Sequence, residues 1–333
     1  MTQFSNLQYH ARDVLRRFRV DTRYIGAHGP DSFKNTIEQN FRDGRLWHDL
    51  KDEFGVIWSM PDDQRLYMDI SHHPLENAAI KDIVDFPFPK GNDPSRFTGV
   101  RELALKMRNE TPYALCTCIG GVVYEICWYM RGLKQWFIDM KTQPEFCEAL
   151  LDRILGFWID FYTGFMAETG DIFDVIMIGD DLAGQNGPLF SPALYREIVK
   201  PRQKKLVQHI KSLTDAKIWY HTCGSCYEYI GELIDNGVDI LNPVQIGPVN
   251  MEPQKLKSEF GDRIVFWGGG INAQKILPFA ESSEISEQVR KNLEQFKPGG
   301  GYVFNNVHNI QYGVPPENIT AMFDAAYEFG FYE

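Results

Sequence analysis

The stretch Lys217-Ile-Trp-Tyr-His-Thr-Cys-Gly224 is a short, largely apolar run flanked by two helical stretches, Ser191 to Leu213 before it and Cys226 to Asn236 after it. A run of this length, rich in aromatic and β-branched residues, reads as a buried strand of a parallel sheet. The alternation continues in both directions. Upstream, a helix predicted over 100–109 leads to a strand over 113–119. A long helical stretch over 122–170, broken near Gln143-Pro144, then leads to Asp174-Val-Ile-Met-Ile-Gly179. Downstream, strands are predicted over 240–244, 264–268 and 301–305, separated by helices over 253–260 and 283–296, and Pro315-Pro-Glu-Asn318 opens a terminal helix. Strands spaced by helices of ten to twenty residues are parallel βαβ units.

Seven or eight such strands predict a closed (β/α)8 TIM barrel, with an open doubly wound sheet as its rival. No Gly-x-Gly-x-x-Gly follows the first strand and no phosphate-binding Gly-Lys-Ser/Thr loop is present, which weakens the nucleotide-binding form of that rival. No low-complexity linker divides the chain. A single domain over 1–333 is therefore expected, with 1–50 as an N-terminal helical extension.

The chain has 333 residues, 44% of them hydrophobic and 14% aromatic, enough for a large core and for apolar pocket walls. A net charge of −11 argues against nucleic acid or an anionic membrane as the main partner. The polar start Met1-Thr-Gln-Phe-Ser-Asn6 lacks a signal-peptide core, and no apolar run approaches a spanning helix. Six cysteines in a chain this long do not suggest a disulfide scaffold, so a reducing cytoplasm is expected. Self-association as a homodimer stays open.

Chemistry in a barrel gathers where strands end and loops begin. His221 and Cys223 are two apart on a strand, so both side chains leave the same face. An imidazole and a thiolate are ligands that Zn²⁺ takes; a buried Cys beside a hydrogen-bonded His is the plainer reading. His308, flanked by Asn305-Asn-Val307 and Asn309-Ile-Gln311, is the natural third ligand. Cys226 completes a Cys-x-x-Cys pair with Cys223 but falls in the following loop or first helical turn. An open three-ligand site is thus favoured over a closed four-ligand one. The same rim is expected to carry Asp180 and Asp181 after the strand ending at Gly179, together with Asn242, Gln245 and Asn272 as candidates for binding a cofactor. Any Asp or Asn among these is also a common capping or turn residue.

Several segments resemble the uroporphyrinogen decarboxylase superfamily, which includes the zinc-dependent corrinoid methyltransferases. They are the run Gly179-Asp-Asp-Leu-Ala-Gly-Gln-Asn-Gly-Pro-Leu-Phe-Ser-Pro-Ala-Leu-Tyr195, then Trp128-Tyr-Met-Arg-Gly132, and Gly300-Gly-Tyr-Val-Phe-Asn-Asn-Val-His308 with Pro315-Pro-Glu-Asn318. The similarity runs from about Asp52 to Phe329 and implies a (β/α)8 barrel. Within the superfamily, the decarboxylases carry an N-terminal arginine-rich loop that grips a polycarboxylate substrate, and nothing in Met1 to Pro61 resembles it. Tyr129 matches their pocket tyrosine, His308 a histidine of their last-strand motif and Asp52, loosely, their essential aspartate. The methyltransferases place a His-x-Cys strand where His221 and Cys223 stand, with a cysteine as third ligand where this chain has His308.

The resemblance implies a Zn²⁺ enzyme that moves a methyl group from an O- or N-methyl small molecule to a corrinoid (cobalamin) on a cognate partner protein, with Asp180, Asp181 and Tyr129 as candidate catalytic groups. The alternative is a metal-independent decarboxylase acting on a porphyrinogen. One thiolate and two neutral imidazoles leave Zn²⁺ a net charge of about +1, a stronger Lewis acid than a two-thiolate site.

Overall fold

A computed structural model describes residues 12–63 and 67–332. The polar start Met1 to Asn6 lies outside the described residues. The chain divides into two compact units.

The first unit comprises Thr22–Asp174 and Ala193–Ala216. Strand β1 (Thr22–Ile25) pairs in parallel with β6 (Ala114–Thr117), with Thr22 beside Ala114. Between them in sequence lies a four-stranded antiparallel sheet of β2 (Ile37–Arg42), β3 (Arg45–Lys51), β4 (Ile57–Pro61) and β5 (Asp69–His72), in that order. This departs from the helical extension expected over 1–50, where the described residues hold one helix, Arg12–Arg17, and three strands. The cause is turn chemistry. Asp43 and Gly44 both take positive φ, 52° and 72°, and so form a two-residue hairpin that folds Ile37–Arg42 back on Arg45–Lys51.

The helical stretch predicted over 122–170 is three helices, Tyr124–Arg131, Leu133–Thr142 and Pro144–Thr169. Gly132 (φ 88°) ends the first, and the proline at 144, which tolerates only a helix start, opens the third. The last helix buries Leu150, Ile154, Tyr162 and Phe165.

The second unit comprises Val175–Pro192, Lys217–Glu333 and the described part of Leu7–Asp21. Its sheet is parallel: β7 (Val175–Gly179), β10 (Lys217–His221), β11 (Ile240–Asn242), β12 (Val265–Trp267) and β13 (Tyr302–Val303), paired in that order. A small hairpin, β8 (Ala183–Gly184) with β9 (Gly187–Pro188), follows β7. Every residue of β7 is buried, as a parallel strand covered on both faces should be. Helices Tyr227–Asn236, Pro253–Phe260, Ser282–Phe296 and Pro316–Phe329 alternate with these strands. Leu277, Ile285, Val289 and Met322 form one fully enclosed cluster, where trimming a single aliphatic side chain to alanine costs about 2–5 kcal/mol.

Among the described residues there are seven parallel strands, two in the first unit and five in the second, and the fold is α/β. No helix among them is long and apolar enough to cross a membrane.

Candidate metal centre

The site is built where β10 ends. His221 is the last residue of that strand and is paired on both sides, with Gly179 of β7 and with Asn242 of β11. Gly179 has to lack a side chain: a Cβ there would lie 2.6 Å from the His221 carbonyl oxygen and 2.7 Å from the His221 Cβ. The Asp180 amide donates to the same carbonyl at 3.0 Å.

Thr222 points away from its two neighbours and is buried. Its amide donates to the Asn242 carbonyl oxygen (2.8 Å) and its hydroxyl oxygen accepts from the Leu182 amide (3.1 Å). That anchor returns Cys223 to the His221 face, just past the strand. There the Cys223 amide donates to Asp181 Oδ1 at 2.7 Å, and Cys223 Sγ lies 3.3 Å from His221 Nε2. The turn continues through Gly224 (φ 79°), whose amide donates to Gln245 Oε1 at 2.9 Å; a Cβ at this position would come within 2.5 Å of the carbonyl oxygens of Ala183 and Gly184. Gln245 Oε1 also accepts from Gln185 Nε2 at 3.1 Å.

The third group arrives from the loop after β13. His308 has a left-handed backbone (φ 57°), and the Asn306 side-chain amide donates to its carbonyl oxygen. Its ring centroid is 5.4 Å from that of His221, with the planes at 63°. One donor atom each from His221, Cys223 and His308 can be chosen so that all three lie within 4.8 Å of one another. Two donors on one tetrahedral Zn²⁺ are about 3.5 Å apart, given metal–ligand bonds of roughly 2.0–2.3 Å. The His221–Cys223 separation of 3.3 Å meets that spacing. Burial and the neighbouring His221 hold the His308 pKa below the ordinary imidazole value, with Asp181 pulling the other way, so its neutral, ligating form is favoured. Cys226 behaves differently. It is fully enclosed, and burial pushes its thiol up to about 12, far from the thiolate that a metal requires. The donor set is one sulfur and two imidazoles, all partly accessible, which fits an open zinc site.

The residues expected at the rim divide into groups. His221, Cys223 and His308 converge. Asp181, Asn242 and Gln245 join them through hydrogen bonds, Asn242 Oδ1 lying 2.8 Å from His221 Nδ1 and Asp181 Oδ1 4.0 Å from His221 Nε2. Asp180 is buried and joined through its backbone. Asn272 Oδ1 accepts from the amides of Gln274 and Lys275, each at 3.0 Å, and so turns its own loop. Tyr129 belongs to the first unit, where its hydroxyl donates to Glu125 Oε1 (2.9 Å) and its ring stands edge-on to Trp58. Asp52, also in the first unit, accepts from the amides of Phe54 and Val56 and from Trp58 Nε1, and burial raises its pKa. Sequence reasoning passed over Thr222 and Gly179. The signal for Thr222 was present, since a residue between two same-face ligands must point the other way, whereas the demand on Gly179 comes from the register of β7 with β10.

The family model described as uroporphyrinogen decarboxylase (URO-D) matches residues 54–329. The uroporphyrinogen decarboxylase of Psychromonas ingrahamii is 24% identical over 252 residues, covering 73% of this chain and 66% of the relative, so the chain spans about two thirds of that enzyme's length. That of Ruthia magnifica is 26% identical over 249 residues, covering 72% and 67%. Among solved structures, a methyltransferase from Methanosarcina mazei superposes with a TM-score of 0.61 at 22% identity, over 84% of this chain and 77% of that one. With most of its length matched by the family model, the chain belongs to the uroporphyrinogen decarboxylase family.

Proposed function

We propose that this protein is a zinc-dependent methyltransferase on a (β/α)8 barrel, moving a methyl group from an O- or N-methyl small molecule to the cob(I)alamin of a separate corrinoid protein. The convergence of His221, Cys223 and His308 carries the reading. Bound Zn²⁺ would supply Lewis acidity toward the heteroatom that loses its methyl group.

The chain's own residues would do the rest. His221 and Cys223 set two ligand directions from one strand end, and the Asp181 carboxylate fixes the Cys223 backbone. The heteroatom leaves as an alkoxide or phenoxide anion from an ether, or as a neutral amine from a donor whose nitrogen already carries the positive charge, quaternary or protonated. An anionic alkoxide or phenoxide then needs a proton, and Asp181, half-exposed beside the cluster, is placed to relay one from solvent. The likeness to the Methanosarcina mazei methyltransferase supports the fold this reading needs.

The test is elemental analysis joined to turnover. The purified protein should hold one zinc per chain and form methylcobalamin from cob(I)alamin and at least one methyl ether or methylamine, with chelator abolishing the product. A metal-free chain inactive across a broad panel of donors would overturn the proposal. The names of the curated relatives favour a second reading, a metal-independent decarboxylase. It predicts porphyrinogen decarboxylation that survives chelator and His221→Ala.

A further inference from the structure

Asn242 is buried, and its side chain makes two hydrogen bonds that constrain each other. Its Nδ2 lies 2.9 Å from the Trp267 carbonyl oxygen, and its Oδ1 lies 2.8 Å from His221 Nδ1. A carbonyl oxygen only accepts, so Trp267 decides which end of the amide is nitrogen. The oxygen is then the end that meets the imidazole, and it too only accepts. His221 Nδ1 must therefore carry a hydrogen, and in the neutral ring Nε2 keeps its lone pair.

The opposite edge of the ring pulls the other way. Cys223 Sγ lies 3.3 Å from His221 Nε2, and a sulfur, above all a thiolate, is an acceptor. With no partner at Nδ1, the ring would place its hydrogen on Nε2 and donate it to that sulfur. Such a bond would block the nitrogen lone pair and one sulfur lone pair together.

We infer that Asn242 is a positioning residue: it holds His221 in the Nδ1–H tautomer and keeps Nε2 open toward the cation-binding face shared with Cys223 and His308. The Asn242 carbonyl oxygen bonded to the Thr222 amide fixes the same strand end, so side chain and backbone of one residue act on His221 and its neighbour together. The inference rests on the metal-centre reading for its purpose, but the tautomer itself is a property of the metal-free chain.

Two measurements separate these. Nitrogen-15 NMR of the metal-free wild-type chain, with labelled histidine, should show His221 as the Nδ1–H tautomer; the Nε2–H tautomer would overturn the inference with no variant made. Zinc affinity by competition against a chromophoric chelator should weaken about 10–100-fold in Asn242→Leu, the range seen when an outer partner of a ligating histidine is lost. Asn242→Asp, which keeps an acceptor at the ring, should recover most of that loss. Equal affinity in Asn242→Leu and wild type would also overturn the inference. A wild-type chain that takes up no zinc would remove the metal centre itself, and the spectrum alone would then decide the tautomer.

Discussion

His221 and Cys223 rest on one kind of support and His308 on another. His221 ends a five-residue strand bonded to a neighbour on each side and Cys223 follows just past it, with Thr222 pinned between them and Asp181, Asn242 and Gln245 bonded around the turn. His308 stands on a loop, with a left-handed backbone that most residue types avoid, and the bond to its own carbonyl oxygen comes from Asn306, two residues away. Groups carried on strands are held more closely than groups carried on loops. The strand end is therefore the more closely held part of the candidate site, and the loop histidine the less constrained one.

The largest test of that contrast is ligand removal. Cys223→Ala or His221→Ala should weaken zinc binding by more than about 100-fold, beyond the loss expected for an outer partner, whereas His308→Ala should stay within about 10–100-fold. Competition titration on the three variants reads it directly, and equal losses would erase the distinction between strand and loop.

Next in size is the packing behind His221. Gly179→Ala pushes a methyl group into the His221 backbone and should cost about 1–3 kcal/mol in a denaturant titration, with weaker zinc binding as well. Gly156→Ala is the control. It lies mid-helix with open space where a Cβ would go, and should stabilise by about 0.4–1 kcal/mol while leaving zinc binding alone.

A smaller effect of opposite sign is expected on the loop. His308→Gly relieves the left-handed backbone and should raise metal-free stability by up to about 1 kcal/mol while zinc affinity falls. Thermal unfolding without metal would show whether the site stores that strain.

The smallest effect is in pH. Burial and the neighbouring His221 lower the His308 pKa in the folded chain against the opposing pull of Asp181, so the unfolded chain binds the proton more readily. The stability this residue contributes is present above the unfolded value of about 6.5 and is lost as pH falls through the lower folded value. Metal-free wild type should thus lose more stability on acidification from neutral pH than His308→Gly does, and superimposable curves would remove burial of the loop ring as the cause.

Much of the second unit was legible from spacing. Lys217–His221 and Val175–Gly179 carry apolar runs of strand length, and Pro253–Phe260 starts at its proline, so those elements lie within a residue or two of where the pattern put them. The His-x-Cys pair was legible for the same reason, because period-two geometry is local. What the pattern hid was pairing. That Asn242 sits beside His221 follows from the register of β10 with β11, which no local signal carries. The polar flanks of His308 and its family motif marked it as a candidate, but that it reaches β10 depends on the whole chain path, which no local signal carries. The helical reading of 1–50 failed for a readable reason: Asp43-Gly44 is a hairpin dipeptide, and Ile37–Arg42 with Arg45–Lys51 are its arms. Asp52 was matched to an essential family aspartate, yet its hydrogen bonds are those of a residue closing a tight turn around Phe54 and Val56.

The Asp43-Gly44 tip also has a practical use. It is exposed, and a side chain added at Gly44 would meet nothing within 4 Å. Exposed tips of small polar residues tolerate inserted sequence. An affinity tag or dye-acceptor peptide spliced there would give a handle for immobilising the protein on a sensor surface, with His221, Cys223 and His308 left in their native form.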